Sequence, residues 1–467
     1  MNDVALVIPT YRIEHASRVV SAYAHNFARY GHEVPIIVFD DSGHQRSQQS
    51  AGQLRYISNP GGVFYAGPEE KAAFLDRMAG TLGADVPARA LGETFKPSYG
   101  GNRNFTVAYT LGGMCISVDD DMRPHALLHN TPEGLHYPEV AKGVFVHVNS
   151  PTYRKEEQDI AGAFLQFLGK PVSAFTGSGV PVAAAVRDDM TDLYTNTTVG
   201  SICEGRSNAL SLVDGHVNPN ARIKIAQTFR TGSYDVDAHD YAEEFLRPGG
   251  PEMLAVNDMS IKYVQKAHRP FVSQNNWRID CGVSGYDNTG GLPPFLPTKL
   301  RCEDYAYRLW SRQHADVATV HVDAIQSHYR DPYSRESIPK DFHNEAHANF
   351  LKGVLRETLE HADGLTLRFG KNGEVSNEEA RSLVAAARHF YDAAVRRAAE
   401  GETNRGAYLA FASQFRDAYA GFDADAFHTA MNARIRHELD VINGTMAAWP
   451  SILDAAATIP KPMRRMS

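Results

Sequence analysis

Three aspartates in succession, Asp119, Asp120 and Asp121, close the apolar run MCISV at residues 114–118, and Met122 and Pro124 follow them. Adjacent carboxylates repel one another, so folding alone gives no reason to gather them where a strand stops. A divalent cation does. Mg2+ and Mn2+ take hard carboxylate oxygens and keep coordination positions for phosphate.

The elements around the aspartates predict how they are held. Val4 to Ile8 is a short Val/Leu/Ile run, a buried strand ended by Pro9 and Thr10. From about Ala16, the residues Val19, Val20, Tyr23, Phe27 and Tyr30 recur at helical spacing, and Gly31 follows as a C-terminal cap. VPIIVF is a second strand, closed by Asp40 and Asp41. Strand, helix and strand in this order start a parallel α/β sheet. Asn102 to Leu111 predicts a short helix ended by Gly112 and Gly113, and MCISV the strand after it. Ligands of open α/β sheets bind outside the carboxyl ends of strands, so Asp41 and Asp119 to Asp121 are expected along one edge.

From His125 to about Lys266 the pattern is mixed, with a short strand in KGVFVHV, and yields no fold assignment. A Gly/Pro-rich loop then leads to a helix beginning near Glu303, and VATVHVDAIQSHYR gives a strand with His328. Beyond Pro332 the chain turns helical. Helices are expected at Lys340–Ala362, after the Ser376-x-x-Glu379 capping box, at Arg405–Tyr419 and at Asp423–Asn443. The capping box precedes an apolar stripe of Leu383, Val384, Ala387, Phe390, Tyr391, Ala394 and Val395, suited to core or to a homo-oligomer contact. The chain thus divides into an α/β domain at 1–331, with inserted segments near 60–95 and 125–265, and a helical region at 332–467.

A chain of 467 residues with 43% hydrophobic and 22% charged residues is ordinary for a globular protein. The net charge of −8 argues against a general nucleic-acid binder. Cys115, Cys203, Cys281 and Cys302 stand at no metal-ligand spacing and are expected as free thiols in a reducing compartment. MNDVALVIPTYR has neither the basic start nor the apolar stretch of a signal peptide, which predicts a cytoplasmic protein. The basic tail KPMRRMS after an apolar stretch suits a disordered terminus or a peripheral membrane contact.

Taken together, these motifs resemble the GT-A-fold nucleotide-sugar glycosyltransferases, especially the inverting family 2. Its members open with a strand ending in Pro-Thr-Tyr, here Pro9, Thr10 and Tyr11, and end the second strand in Asp-Asp, here Asp40 and Asp41. Gly-x-x-Arg-Asn follows on a helix, here Gly100, Arg103 and Asn104, and then the Asp-x-Asp motif, here Asp119, Asp120 and Asp121. The resemblance implies a Rossmann-like, mostly parallel catalytic domain. Its expected reaction moves a sugar from a UDP- or GDP-sugar to a hydroxyl acceptor with inversion, using Mn2+ or Mg2+. It implies that Asp121 binds the metal and that Asp119 binds it too, directly or through water, or contacts the ribose. Asp41 would accept a hydrogen bond from the nucleobase. Pro9, Thr10, Tyr11, Arg103 and Asp120 would complete the donor site. RCEDYAYRLW resembles the later Glu-Asp motif, with Asp304 as general base and Glu303 as the alternative. The same pair also suits an ordinary helix start. His328 falls where many such enzymes carry a third metal ligand. Trp277 and Tyr286 are aromatics suited to stacking on a sugar or to the core.

Two departures are a long stretch between Asp41 and Arg103 and a longer one between Asp121 and Glu303. They leave the acceptor open among glycan, lipid, protein side chain and small metabolite. A sugar nucleotidyltransferase would carry a Gly-rich loop after the first strand, but PTYRIEHASR holds no glycine. A retaining enzyme of the same fold and a non-catalytic nucleotide-sugar-binding protein are the other readings. The joint presence of Asp41, Asp119, Asp121, Asp304 and His328 favours a hexosyltransferase-type enzyme.

Overall fold

The computed structural model describes residues 4–131, 134–136, 143–146, 153–177, 181–185, 192–198, 218–232, 238–256, 259–262, 271–273, 279–329, 338–401 and 403–467. Its first half is built on β1 (Val4–Thr10), β2 (Ile36–Asp40), β3 (Val63–Ala66) and β4 (Met114–Val118). These lie in the order β3-β2-β1-β4, all parallel. The helices α1 (Ile13–Tyr30), α2 (Pro68–Leu82) and α3 (Tyr99–Thr110) connect them. Gly31, at φ 75°, ends α1 with its N–H on the Phe27 carbonyl. The chain near 60–95, expected as an insertion, supplies β3 and α2.

The sheet then continues with reversed strands. Further along are β5 (Met122–Arg123), β6 (Pro181–Ala185), β7 (Asp192–Thr198), β8 (Arg222–Gly232), β9 (Phe271–Ser273), β10 (Val283–Asp287), β11 (Val317–His328) and β12 (Arg464–Arg465). The order across the sheet is β7-β6-β9-β11-β8-β10-β4-β1-β2-β3-β12, with β5 on β11. β10 runs antiparallel to both β4 and β8, while β8 and β11 are parallel. A mostly parallel sheet describes only the N-terminal part, and the whole is mixed. The reason is the long segment after Asp121, which frees the chain from the strand–helix–strand crossover that imposes parallel pairing.

Alternation sorts the core. In β1, Ala5 and Val7 face one apolar cluster, and Leu6 and Ile8 face another across the sheet. The first cluster includes α4 (Tyr305–Gln313), α5 (Ile338–Thr358) and α8 (Ala424–Thr458). Of the C-terminal helices, α5 and α8 therefore share the core of the sheet. Trp449 is fully buried near Phe95, and its indole N–H donates to the Leu292 carbonyl at 2.7 Å. α8 extends well past Asn443, because MAAWPSILDAAAT buries Met446, Trp449, Ile452 and Leu453. The helix expected to reach Ala362 stops at Thr358, where a hairpin of Leu359–Asp363 and Thr366–Phe369 begins. α6 (Asn377–Ala399) and α7 (Arg405–Ala418) form a third cluster with the helix at Ala238–Phe245. Ser376 and Glu379 close the expected capping box at the start of α6. The tail is not disordered: Arg464 and Arg465 pair with Tyr65 and Phe64 at the edge of the sheet. No helix among the described residues is long and apolar enough to cross a membrane.

Trp449→Ala is expected to cost about 3–5 kcal/mol in urea unfolding, as for other buried large-to-small changes. A loss below about 1 kcal/mol would mean that α8 is not integral to the sheet's core.

Candidate active site

Every residue given a catalytic, donor-binding or metal role from the sequence lines one cavity of about 830 Å3: Pro9, Thr10, Tyr11, Asp41, Arg103, Asp119, Asp120, Asp121, Glu303, Asp304 and His328. The carboxyl ends of β1, β2 and β4 form its floor. Asp40 and Asp41 part company there. Asp40 is fully buried and structural, accepting from Ser42 N–H at 2.7 Å, Ser47 Oγ at 2.6 Å and Tyr65 OH at 2.8 Å. Asp41 lines the cavity and takes Lys71 Nζ at 2.6 Å on Oδ1, while its buried Oδ2 has no donor.

Lys71 sits on the buried face of α2 with Phe74 and Met78 and was not among the expected site residues. It also donates to the Asp40 carbonyl at 3.0 Å and to Asn102 Oδ1 at 2.6 Å. Burial pushes its ammonium pKa down against the pull of Asp41. A lysine in the apolar stripe of an amphipathic helix was the legible signal. Asn102 in turn donates to the Thr10 and Phe39 carbonyls, tying α3 to both strand ends. A Cβ at Gly100 would collide with the Leu296 carbonyl oxygen, so glycine there lets α3 meet the 288–304 loop.

Arg103 is almost wholly buried. It donates to Ser117 Oγ at 2.9 Å and to the Cys281 carbonyl at 3.2 Å, pairs closely with Asp119, and has Nε 3.6 Å from Glu303 Oε1. Gly282 abuts the Asp119 carboxylate, where a Cβ would collide with it. The second guanidinium, Arg12, was likewise missed by sequence reasoning; it pairs with Asp120 and lies 2.9 Å from Asp121 Oδ2. Thr10 Oγ1 donates to Asp120 at 2.5 Å. Burial and the neighbouring Asp121 push the Asp120 carboxyl up to about 6 against Arg12 and Thr10. Burial acts on Asp121 too, but His328 and Arg12 outweigh it and hold that carboxyl below the usual range. Tyr11 is half exposed at the rim, with Arg12 over its ring.

His328 reaches Asp121 through strand register. β5 pairs with the end of β11 so that Met122 faces His328, and Tyr329 N–H donates to the Asp121 carbonyl at 2.7 Å. Asp121 Oδ1 is buried with no donor aligned to it, although His328 Nε2 is 3.2 Å away. A buried carboxylate oxygen 3.2 Å from an imidazole nitrogen fits a divalent ion. Asp119 is drawn towards Arg103 and does not join them in a tight three-ligand group. Among the described residues, the group of three potential ligands within 4.8 Å of one another is His239, Asp240 and Glu243, exposed on the surface.

Glu303 and Asp304 differ in their surroundings. Glu303 is buried, faces Arg103, and accepts from Cys281 Sγ at 3.3 Å. Asp304 is half-buried just before α4, with Cys281 N–H 3.4 Å from Oδ2. Burial, Glu303 and Asp280 push its carboxyl up to about 7, a value suited to a base at neutral pH. Tyr286 is buried between Phe295 and Tyr307, which removes it as a sugar platform. Trp277 lies outside the described residues. The cavity is also lined by Lys299, Arg301, Lys340, Asn344, Lys352 and Arg434, from the 288–304 loop and from α5 and α8.

Comparison of the chain with protein-family models, with curated proteins and with solved structures finds no match in any of the three.

Arg103→Met is expected to destabilise the fold by about 3–5 kcal/mol, because Asp119 and Glu303 lose their buried counter-charge. Unfolding titrations would measure this, and a neutral result would show that the carboxylates are held by other means.

Proposed function

We propose that this chain is a GT-A-like, metal-dependent glycosyltransferase of the hexosyltransferase type. It moves a sugar from a nucleoside-diphosphate sugar to an acceptor hydroxyl with inversion. One observation carries the reading: residues scattered from Pro9 to His328 converge on a single cavity at the carboxyl ends of parallel strands. The alternating strand and helix order with β3-β2-β1-β4 pairing supports the GT-A-like assignment. The buried free thiols of Cys115, Cys281 and Cys302 agree with a cytoplasmic setting.

In this reading Asp121 and His328 would hold Mn2+ or Mg2+, and Asp119 would serve the ion or the ribose. Such an ion neutralises the charge that grows on a departing diphosphate. The chain's own groups do the rest. Asp41, with Oδ2 unfilled, accepts from the nucleobase. Arg12 keeps Asp120 and Asp121 ionised and in place. Asp304 accepts the proton of the acceptor hydroxyl as its oxygen bonds to the anomeric carbon. The bond from that carbon to the diphosphate oxygen breaks in the same displacement, and the nucleoside diphosphate leaves with the bonding pair. Glu303, tied to Arg103, positions the loop that bears Asp304.

Thermal-shift measurements with UDP-, GDP- and dTDP-sugars, with and without Mn2+, test the donor. One nucleotide should raise the Tm in a metal-dependent way, and Asp121→Asn should abolish that shift and the accompanying turnover. Wild-type turnover in this variant would remove the central claim. Asp304→Asn should lower kcat by about 100- to 10,000-fold while nucleotide binding persists. With Asp304 as base, kcat/KM should fall about tenfold per pH unit below about pH 7, as the carboxylate becomes protonated. Product NMR showing retention at the anomeric carbon would exclude this role for Asp304.

A further inference from the structure

Five of the cations that line the cavity come from the 288–304 loop and from α5 and α8. Lys299 and Arg301 come from the loop before α4, Lys340 and Lys352 from α5, and Arg434 from α8. Three of these already have defined contacts. Arg301 lies 3.8 Å from Asp341 and 3.7 Å from Glu345, Arg434 donates to His347 at 3.2 Å, and Lys340 has partners of its own. Lys352 and Lys299 make no hydrogen bond or ion pair among the described residues, and Lys352 is half-buried. Lys299 is exposed, and both ammonium groups keep donors that no hydrogen bond or ion pair of the described residues occupies. An anion in the cavity would take those donors.

The donor's diphosphate belongs elsewhere in the cavity. Its proposed seat is the floor with Asp121, His328 and Arg12. In an inverting displacement the acceptor enters from the side opposite the leaving diphosphate, where the base waits. Lys352 stands on that side: its charge acts on Asp304 and on Cys302, directly before the Glu303-Asp304 pair. A cation there meets the acceptor.

We infer that the Lys299, Lys352 and Arg434 wall binds a phosphate group carried by the acceptor, next to the hydroxyl that Asp304 deprotonates. Phosphate suits this wall better than carboxylate, because it brings close to two negative charges and three acceptor oxygens to several donors. The acceptor is accordingly a hydroxylated phosphate monoester. The assignment rests on the transferase reading for its direction of attack, and the anion site itself stands on the cations alone.

Calorimetric titration of the full chain at constant ionic strength tests it, with inorganic phosphate, acetate and UDP plus Mn2+ as three separate probes. Wild-type protein should bind inorganic phosphate in preference to acetate. In the double variant Lys299→Gln/Lys352→Gln, phosphate affinity should fall about tenfold or more while UDP affinity changes less than about threefold. An unchanged Tm verifies that the variant folds. Phosphate binding that is absent, or equal in both proteins, overturns the inference, as does equal affinity for acetate. A parallel loss of UDP affinity also overturns it, since the lysines would then serve the donor. Lysine-dependent phosphate binding without any nucleotide binding would leave the anion site standing and sink the transferase reading instead.

Discussion

Seven carboxylates line one cavity, and such a density of like charge would raise their pKa values until several were neutral. The cations Arg103, Arg12 and Lys71 oppose this: Asp121 stays below the usual carboxylate range, while Asp120, Glu303 and Asp304 remain raised. Each cation is anchored at more than one point, so each fixes a geometry as well as a charge. Arg103 spans Ser117, Asp119, Cys281 and Glu303, and so joins β4, the loop before β10 and the loop before α4. Arg12 brings the end of β1 to the aspartate turn. Lys71 binds α2 and α3 to the end of β2. Removing one partner of such a buried pair is costly, because the other remains charged in a low-dielectric setting.

The same constraint separates acids that look alike. Asp40 and Asp41 are adjacent, yet one is saturated by Ser42, Ser47 and Tyr65 while the other keeps a buried oxygen unfilled. Glu303 and Asp304 are adjacent, yet the first is committed to Arg103 and Cys281 and the second lies at the cavity wall. In each pair one carboxylate builds the site and its neighbour is left available for chemistry. Sequence spacing cannot make this distinction, since it depends on which way the turn rolls as it leaves the strand or enters the helix.

Much of the N-terminal half was legible in the sequence, because β1, β2 and β4 are short apolar runs ended by acids and α1 carries a clean helical period closed by Gly31. The cavity residues were legible for the same reason: they stand at element ends, where pattern breaks. The reversed strand β10 was not, since VSGYD reads the same in either direction and only the path of the preceding chain sets its orientation. Arg12 and the cationic wall were hidden because their role is tertiary. Lys299, Lys352 and Arg434 lie far apart in sequence and meet only once α5 and α8 lie beside the 288–304 loop. α8 runs past the expected end at Asn443, through Gly444 and Pro450, because burial of Trp449 and Ile452 outweighs their low helix propensity.

The two-residue strand at Arg464–Arg465 covers the outer edge of β3, with Arg464 over the Tyr65 ring and 2.8 Å from Glu70. Its charged side chains guard that edge against pairing with another chain. During translation this guard arrives well after the strand it covers. β3 is made some four hundred residues earlier and must wait with an unpaired edge until residues 464–465 leave the ribosome. The nascent chain is therefore most exposed to strand-to-strand aggregation while its long C-terminal helix is still being synthesised.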